Sequence, residues 1–209
     1  MIQENFDRVF VINLPKSKDR RSTTKKRLEE KLGMIEGEHY EFWKATSGRS
    51  KFAKFNGKPY QGWNRNAAGL VYTTKRLIEK AKKEGWKNVF IMEDDVDFIQ
   101  NFSTIYKESV KHLPKDFDFF HLNSTHEVPT KWYSGVVHRL RGAWCCQAYA
   151  VNETMYDLYL EELERSECPI DEMTLSFQKI RGNSFCVVPN IVFHHANMAS
   201  DIREKVVEY

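Results

Sequence analysis

Neither a Gly-x-Gly-x-x-Gly nor a Gly-x-x-x-x-Gly-Lys pattern occurs among the 10 glycines of this chain, which argues against a dinucleotide cofactor or a P-loop nucleotide. Cysteine is scarce. Cys145, Cys146, Cys168 and Cys186 form no Cys-x-x-Cys pair and no dense framework, so reduced thiols in a cytosolic compartment are expected. No apolar run approaches the roughly 18 residues of a membrane span, and no apolar leader follows Met1, so a cytoplasmic protein is expected, free or docked at the cytosolic face of a membrane. Neither charge sign dominates: 32 basic residues against 29 acidic give a net charge of +3. That balance lacks the concentrated basic face of a nucleic-acid binder. Internal repeats and low-complexity segments are also missing, and 209 residues suit one α/β domain.

What is present is an apolar run, Val89-Phe90-Ile91-Met92, that ends abruptly in Glu93-Asp94-Asp95-Val96. It reads as a buried strand delivering three carboxylates to a pocket. Adjacent acids repel, so a cation is expected among them, and hard oxygen donors suit Mg²⁺ or Mn²⁺. Such an ion is usually held by one or two protein carboxylates together with substrate phosphates, which points to metal-assisted chemistry on a diphosphate. The competing interpretation is a solvated acidic turn. With no glycine-rich phosphate loop, a metal would have to hold the phosphates, as a nucleotide-sugar transferase requires.

Strand and helix signals alternate along the chain. Arg8 to Asn13 reads as a strand, followed by a mostly solvent-facing helix from Ser17 to Leu32, with Pro15 near its start, Ser17 or Asp19 as caps and Gly33 as its stop. His39 to Lys44 alternates as a second strand, and a long polar connection covers Thr46 to Arg65. Asn66 is expected to cap a helix carrying Leu70, Thr74, Leu77, Ile78 and Ala81, which Gly85 ends. A third helix spans Phe102 to Leu113, and Phe117 to Leu122 is the next strand. Beyond Ser124, strands are expected over Val136 to Arg141, Ala143 to Val151 and Phe185 to Phe193, the last interrupted by Pro189. Helices are expected over Glu153 to Arg165 and Asp171 to Arg181, and a tail over Ala196 to Tyr209. The alternation favours an α/β fold with a Rossmann-like, mostly parallel central sheet flanked by helices, whose ligands bind beyond the carboxyl ends of the strands. Residues 1–124 would form the nucleotide-sugar half, 125–195 the acceptor-side half and 196–209 a tail.

Several weak motifs occur in a meaningful order: Val11-Ile12-Asn13-Leu14 with Asp19-Arg20-Arg21, Gly69 opening a helix with Arg76, Glu93-Asp94-Asp95-Val96, Ala148-Tyr149 and Pro169-Ile170-Asp171. With these the chain resembles glycosyltransferase family 25, the lipooligosaccharide and procollagen galactosyltransferase group, from about Val9 to about Pro189. The resemblance implies a GT-A fold, a metal-dependent UDP-sugar donor and inversion at the anomeric carbon. It implies Asp95 as main metal ligand and Glu93 at the ribose or a metal-bound water, with Asp94 supporting the turn. Ile12 and Asn13 would border the base, and Arg20 would lie near the nucleotide or else in a surface salt bridge. One departure stands out: where the family has Ser-His after the helix-opening glycine, this chain has Thr73-Thr74.

Inversion needs a base for the acceptor hydroxyl. Asp171 matches the Asp of the family's Pro-Val-Asp and opens a helix whose dipole favours its ionised form, although helix capping alone would explain an Asp there. Glu172 is the reserve. Either His194 or His195 could reach the ion, as a late histidine does in similar enzymes, but adjacent strand residues face opposite ways, so only one can enter the pocket. His121 and His126 are weaker candidates. Trp63, Trp144 and Tyr149 could stack on a sugar, with core packing the competing role for the last two. Cys145-Cys146 is assigned to packing. The expected function is transfer of a hexose from a UDP-sugar to a glycan or glycoconjugate hydroxyl. The alternatives are a sugar nucleotidyltransferase, or a noncatalytic carbohydrate-binding or scaffold protein with a degenerate site.

Overall fold

The computed structural model describes residues 1–54, 64–144 and 146–195. Trp63, Cys145 and the expected tail lie outside the described residues. The chain begins with β1 (Arg8–Asn13), α1 (Lys18–Leu32), β2 (Glu41–Lys44), α2 (Asn64–Glu84) and β3 (Asn88–Glu93). Both βα crossovers return in parallel to β1, giving a β2-β1-β3 core with Ile12 paired to Glu93 and Asn13 to Lys44. Next come β4 (Val96–Phe98), α3 (Phe102–His112), β5 (Phe119–His121), β6 (Thr125–His126), β7 (Lys131–Ser134), β8 (Val137–Arg139), β9 (Ala143–Trp144) and β10 (Ala148–Asn152). The chain then forms α4 (Tyr156–Arg165), α5 (Ile170–Arg181), β11 (Ser184–Val187) and β12 (Val192–His194).

The main sheet has eight strands in the order β2-β1-β3-β10-β5-β11-β8-β7. Six of the eight share one direction; β10 and β8 run against them. Both faces of its centre are covered, so β1 and β3 are apolar on successive residues instead of alternating. Phe10, Ile12, Val89 and Ile91 pack with Leu77 and Ile78 of α2, Tyr159 of α4 and Phe177 of α5. On the other face Val9, Val11, Phe90 and Met92 pack with Leu28 of α1 and with Phe102 and Tyr106 of α3. Each such side chain contributes about 1.5–3 kcal/mol through burial, so the register that places Glu93 at the strand end is firmly set.

Several expectations are corrected. Ser17 takes the N-cap position of α1 without a capping hydrogen bond from its side chain, and Asp19 lies within the first turn. Asn66 does not cap α2, which starts at Asn64; Gly69 falls inside that helix. Ala143 to Val151 is not one strand. Gln178 on α5 bonds both the amide and the carbonyl of Ala143, at 2.8 and 3.0 Å, where a main-sheet strand would otherwise pair. β9 accordingly pairs with β6 outside the main sheet. The last apolar run is interrupted around Pro189 as expected, into β11 of the main sheet and β12, which pairs with β4.

Candidate active site

Three elements meet where β3 ends. Glu93 closes the strand, and its amide donates to the Gln147 carbonyl at 2.8 Å, tying the corner to the start of antiparallel β10. Asp94 and Asp95 form the turn into β4, and both are buried. β12 pairs with β4 so that His194 sits opposite Val96, and the His195 amide donates to the Asp95 carbonyl at 2.7 Å.

The face that α1 turns toward this corner is polar. Arg20, Thr24, Arg27 and Lys31 recur at helical spacing and each reaches the segment that starts at Asp94. Arg20 pairs with Asp94 and lies 3.2 Å from Asp95 Oδ2. Thr24 Oγ1 donates to the Asp94 carbonyl at 2.5 Å, Arg27 to the Val96 carbonyl, and Lys31 Nζ to Asp97 Oδ1 at 2.5 Å. The helix is mostly solvent-facing, as expected, and the side it docks combines this polar stripe with Leu28. The 20/24/27/31 spacing was the available signal.

The carboxylates differ in setting. Asp94 has both oxygens engaged, Oδ2 accepting from Asn13 Nδ2 at 2.5 Å and Oδ1 from Arg20. Burial nevertheless pushes Asp94 above its ordinary range. Glu93 is pushed well above, by burial first and then by the charge of Asp95. For Asp95 burial acts upward, but the His194 hydrogen bond and Arg20 outweigh it and hold the group below the ordinary range. Asp95 Oδ1 is buried and has no hydrogen-bond partner.

A cleft of about 480 Å³, counted out to open solvent, adjoins the corner, and Ile12, Leu14, Arg20, Thr46, Asn66, Glu93 and Asp94 are among its lining residues. Asn13 stands behind it on Asp94. Gly69 permits the far wall, because a Cβ there would lie 2.4 Å from the Thr46 carbonyl oxygen. Thr73, the departure from the family pattern, has a structural role: its Oγ1 accepts from the Thr46 amide at 2.8 Å and donates to the Gly69 carbonyl at 2.6 Å. Thr74 is fully buried.

The two histidines separate. His194 Nδ1 lies 3.5 Å from Asp95 Oδ2, and its ring contacts the Gln147 amide, whose Oε1 accepts from Asn123 Nδ2 at 2.5 Å. His195 turns the other way, its Nδ1 lying 3.0 Å from Asp97 Oδ2. Asp171 lies in the first turn of α5 behind Pro169, which holds the N-cap position, and its Oδ1 accepts from the Glu172 amide at 3.1 Å. Its charge is among those that raise Glu93. Glu172, part-buried beside it, is raised by burial and by Asp171. His121 is buried and stacked on Tyr149 in the sheet, whereas His126 and Trp144 lie on the small β6/β9 pair. Gln147 and Asp97 were not singled out from sequence.

A protein-family model described as glycosyltransferase family 25 (LPS biosynthesis protein) matches residues 6–144. No curated protein matches the chain. Among solved structures, a glycosyltransferase involved in glycosylation of the major capsid of PBCV-1 superposes with a TM-score of 0.51 at 13% identity, covering 94% of this chain and 97% of that one. A197 from STIV follows at TM-score 0.48 and 9% identity, over 91% and 86% of the two chains. UDP-glucose pyrophosphorylase complexed with UDP-glucose gives 0.44 at 10% identity, over 86% and 72%. At 13% identity the likeness to the first of these is one of fold, and it fits the GT-A-type sheet described above. The family match extends over well more than half of the 209 residues and takes in the acidic corner, the cleft and the α1 stripe: the chain belongs to glycosyltransferase family 25 and is a glycosyltransferase.

Proposed function

We propose that the protein transfers a hexose from a UDP-sugar, with inversion, to a hydroxyl of a glycan or glycoconjugate, using Mn²⁺ or Mg²⁺ at the Glu93–Asp95 corner. The observation that carries this reading is the buried, unpartnered Oδ1 of Asp95 beside a cleft lined by Ile12, Arg20 and Glu93. Among the described residues no group of three or more His, Cys, Asp or Glu is arranged to hold an ion. That fits an ion held by one or two protein ligands and completed by the diphosphate and water. Asp95 would be the main ligand, with Glu93 or His194 beside it; His195, turned to Asp97, is the weaker candidate. When bound, the ion would neutralise charge on the departing diphosphate.

The chain's own groups supply the rest. Ile12 and Asn13 border the base, and Asp94 fixes the turn. Asp171, in the first turn of α5, takes the proton of the acceptor hydroxyl as the hydroxyl oxygen bonds to the anomeric carbon. The bond from that carbon to the phosphate oxygen breaks, and UDP leaves with the electron pair. Glu172 is the reserve base. Residues 1–124 serve the donor and 125–195 the acceptor. Cys146, Cys168 and Cys186 carry no disulfide, and no helix among the described residues is long and apolar enough to cross a membrane. The free thiols are in keeping with the cytoplasmic setting that belongs to this proposal.

Calorimetry with UDP, with and without Mn²⁺, and turnover of a UDP-sugar panel test this. Asp95→Asn should lower metal-dependent UDP affinity about tenfold or more with the fold retained. Asp171→Asn should keep that binding and lose about 10²–10⁴ in kcat. Undiminished metal-dependent binding in Asp95→Asn would refute the ion site, and no UDP binding by the unaltered protein would favour a noncatalytic scaffold.

A further inference from the structure

The cation that three adjacent carboxylates call for is, in this structure, a side chain. One nitrogen of Arg20, Nη2, serves both Asp94 Oδ1 and, at 3.2 Å, Asp95 Oδ2. The two acids are not equivalent partners. Asp94 is an anchor: its other oxygen is taken by Asn13 and its carbonyl by Thr24. Asp95 is the looser partner, with Oδ2 shared between Arg20 and His194 Nδ1 at 3.5 Å and Oδ1 unbonded. Arg20 also lines the cleft, with 16% of its side chain exposed.

Building on the function proposed above, we propose that Arg20 is an exchangeable counter-ion. In the donor-free protein its guanidinium neutralises Asp95. On loading it remains paired with Asp94, yields Asp95 to the divalent cation, and turns its other edge to the diphosphate. Guanidinium carries five N–H donors in a planar fork, so one edge can stay on a carboxylate while another binds phosphate oxygens. Electrostatics requires some such rearrangement. A diphosphate entering a cleft walled by carboxylates is repelled unless cationic charge faces it, and a guanidinium spent on Asp95 both blocks the ion's ligand and withholds that charge. The metal and the arginine therefore compete for Asp95 when no nucleotide is present and cooperate when it is.

This predicts effects of opposite sign from one substitution. In Arg20→Gln, binding of Mn²⁺ alone, read from the electron paramagnetic resonance signal of free Mn²⁺, should tighten about fivefold because the competing charge is gone. Affinity for UDP in saturating Mn²⁺, read by calorimetry, should weaken about tenfold or more because a charge-assisted phosphate contact is lost. A residue that merely braces the corner would weaken both. Arg20→Lys keeps the charge but not the fork: Mn²⁺ affinity should stay within about twofold while UDP affinity still falls several-fold. The proposal is overturned if Arg20→Gln binds Mn²⁺ no more tightly than the unaltered protein, or if Arg20→Lys, folded by its melting temperature, retains full UDP affinity. If the unaltered protein shows no Mn²⁺-dependent UDP binding, the ion site itself fails, a result distinct from intact binding without the sign reversal.

Discussion

Glu93 is held above the ordinary carboxylate range by burial and by the charge of Asp95, so with no cation in place it keeps its proton to higher pH than an exposed glutamate. A divalent ion at the corner favours the ionised form and displaces that proton. Metal affinity should therefore rise with pH through the raised Glu93 range and level off above it. Calorimetry of Mn²⁺ binding in two buffers of different ionisation enthalpy would detect the released proton; buffer-independent heats would contradict the assignment. At this scale the sequence was partly readable. An apolar run ending in Glu93-Asp94-Asp95 carries its own signal, because three adjacent like charges need a reason. Gln147 and Asn123 carry none: a single amide in a strand-rich stretch looks like any polar residue until its partners are in place.

Among the elements, α2 shows how much of a cleft wall depends on one small residue. Gly69 lets the helix approach the 46–48 backbone, and Thr73 fixes that approach through the Thr46 amide. A methyl group at Gly69 would meet backbone atoms at 2.4 and 2.8 Å, which cannot rotate aside. Gly69→Ala should destabilise the fold by roughly 1–3 kcal/mol in urea titration and weaken UDP binding by displacing Thr46. An unchanged midpoint and affinity would show that the wall yields. Strand and helix positions in the first half were largely legible because apolar periodicity and the glycine stops at Gly33 and Gly85 agree with the structure. The polar part of the α1 docking face was not legible because hydrophobic periodicity registers apolar stripes only, and this face joins Arg20, Thr24, Arg27 and Lys31 to Leu28. The split of Ala143 to Val151 was hidden because Gln178, distant in sequence, supplies the bonds that interrupt it.

For the whole molecule, closure of the site depends on a late segment returning to an early one. β12 reaches β4 after a long excursion, and Asp97, contacted by Lys31 and His195, clasps the two to α1. Burial raises the Asp97 carboxyl, but these partners outweigh it and hold the group below its ordinary range. A depressed folded-state value means the clasp stabilises above the unfolded value and is lost as pH falls through the folded one. Asp97→Asn should lower stability by about 1 kcal/mol at neutral pH, with the gap closing in acid. A gap independent of pH in thermal melts would exclude a charge-based clasp. No local pattern announces such a contact, since β4 is three residues long and its partner lies nearly a hundred residues away.

The reversed direction of β10 has an evolutionary corollary. Because Ala148 lies opposite Met92, the polypeptide returns to the middle of the sheet level with the acidic corner, after building the far edge in which β8 pairs with β11 and β7 with β8. Changes confined to the outermost strand, β7, leave the β2-β1-β3-β10 rungs in place. On the proposed assignment of residues 125–195 to the acceptor, a lineage can change which hydroxyl it modifies by remodelling that edge, without renegotiating the chemistry beneath it.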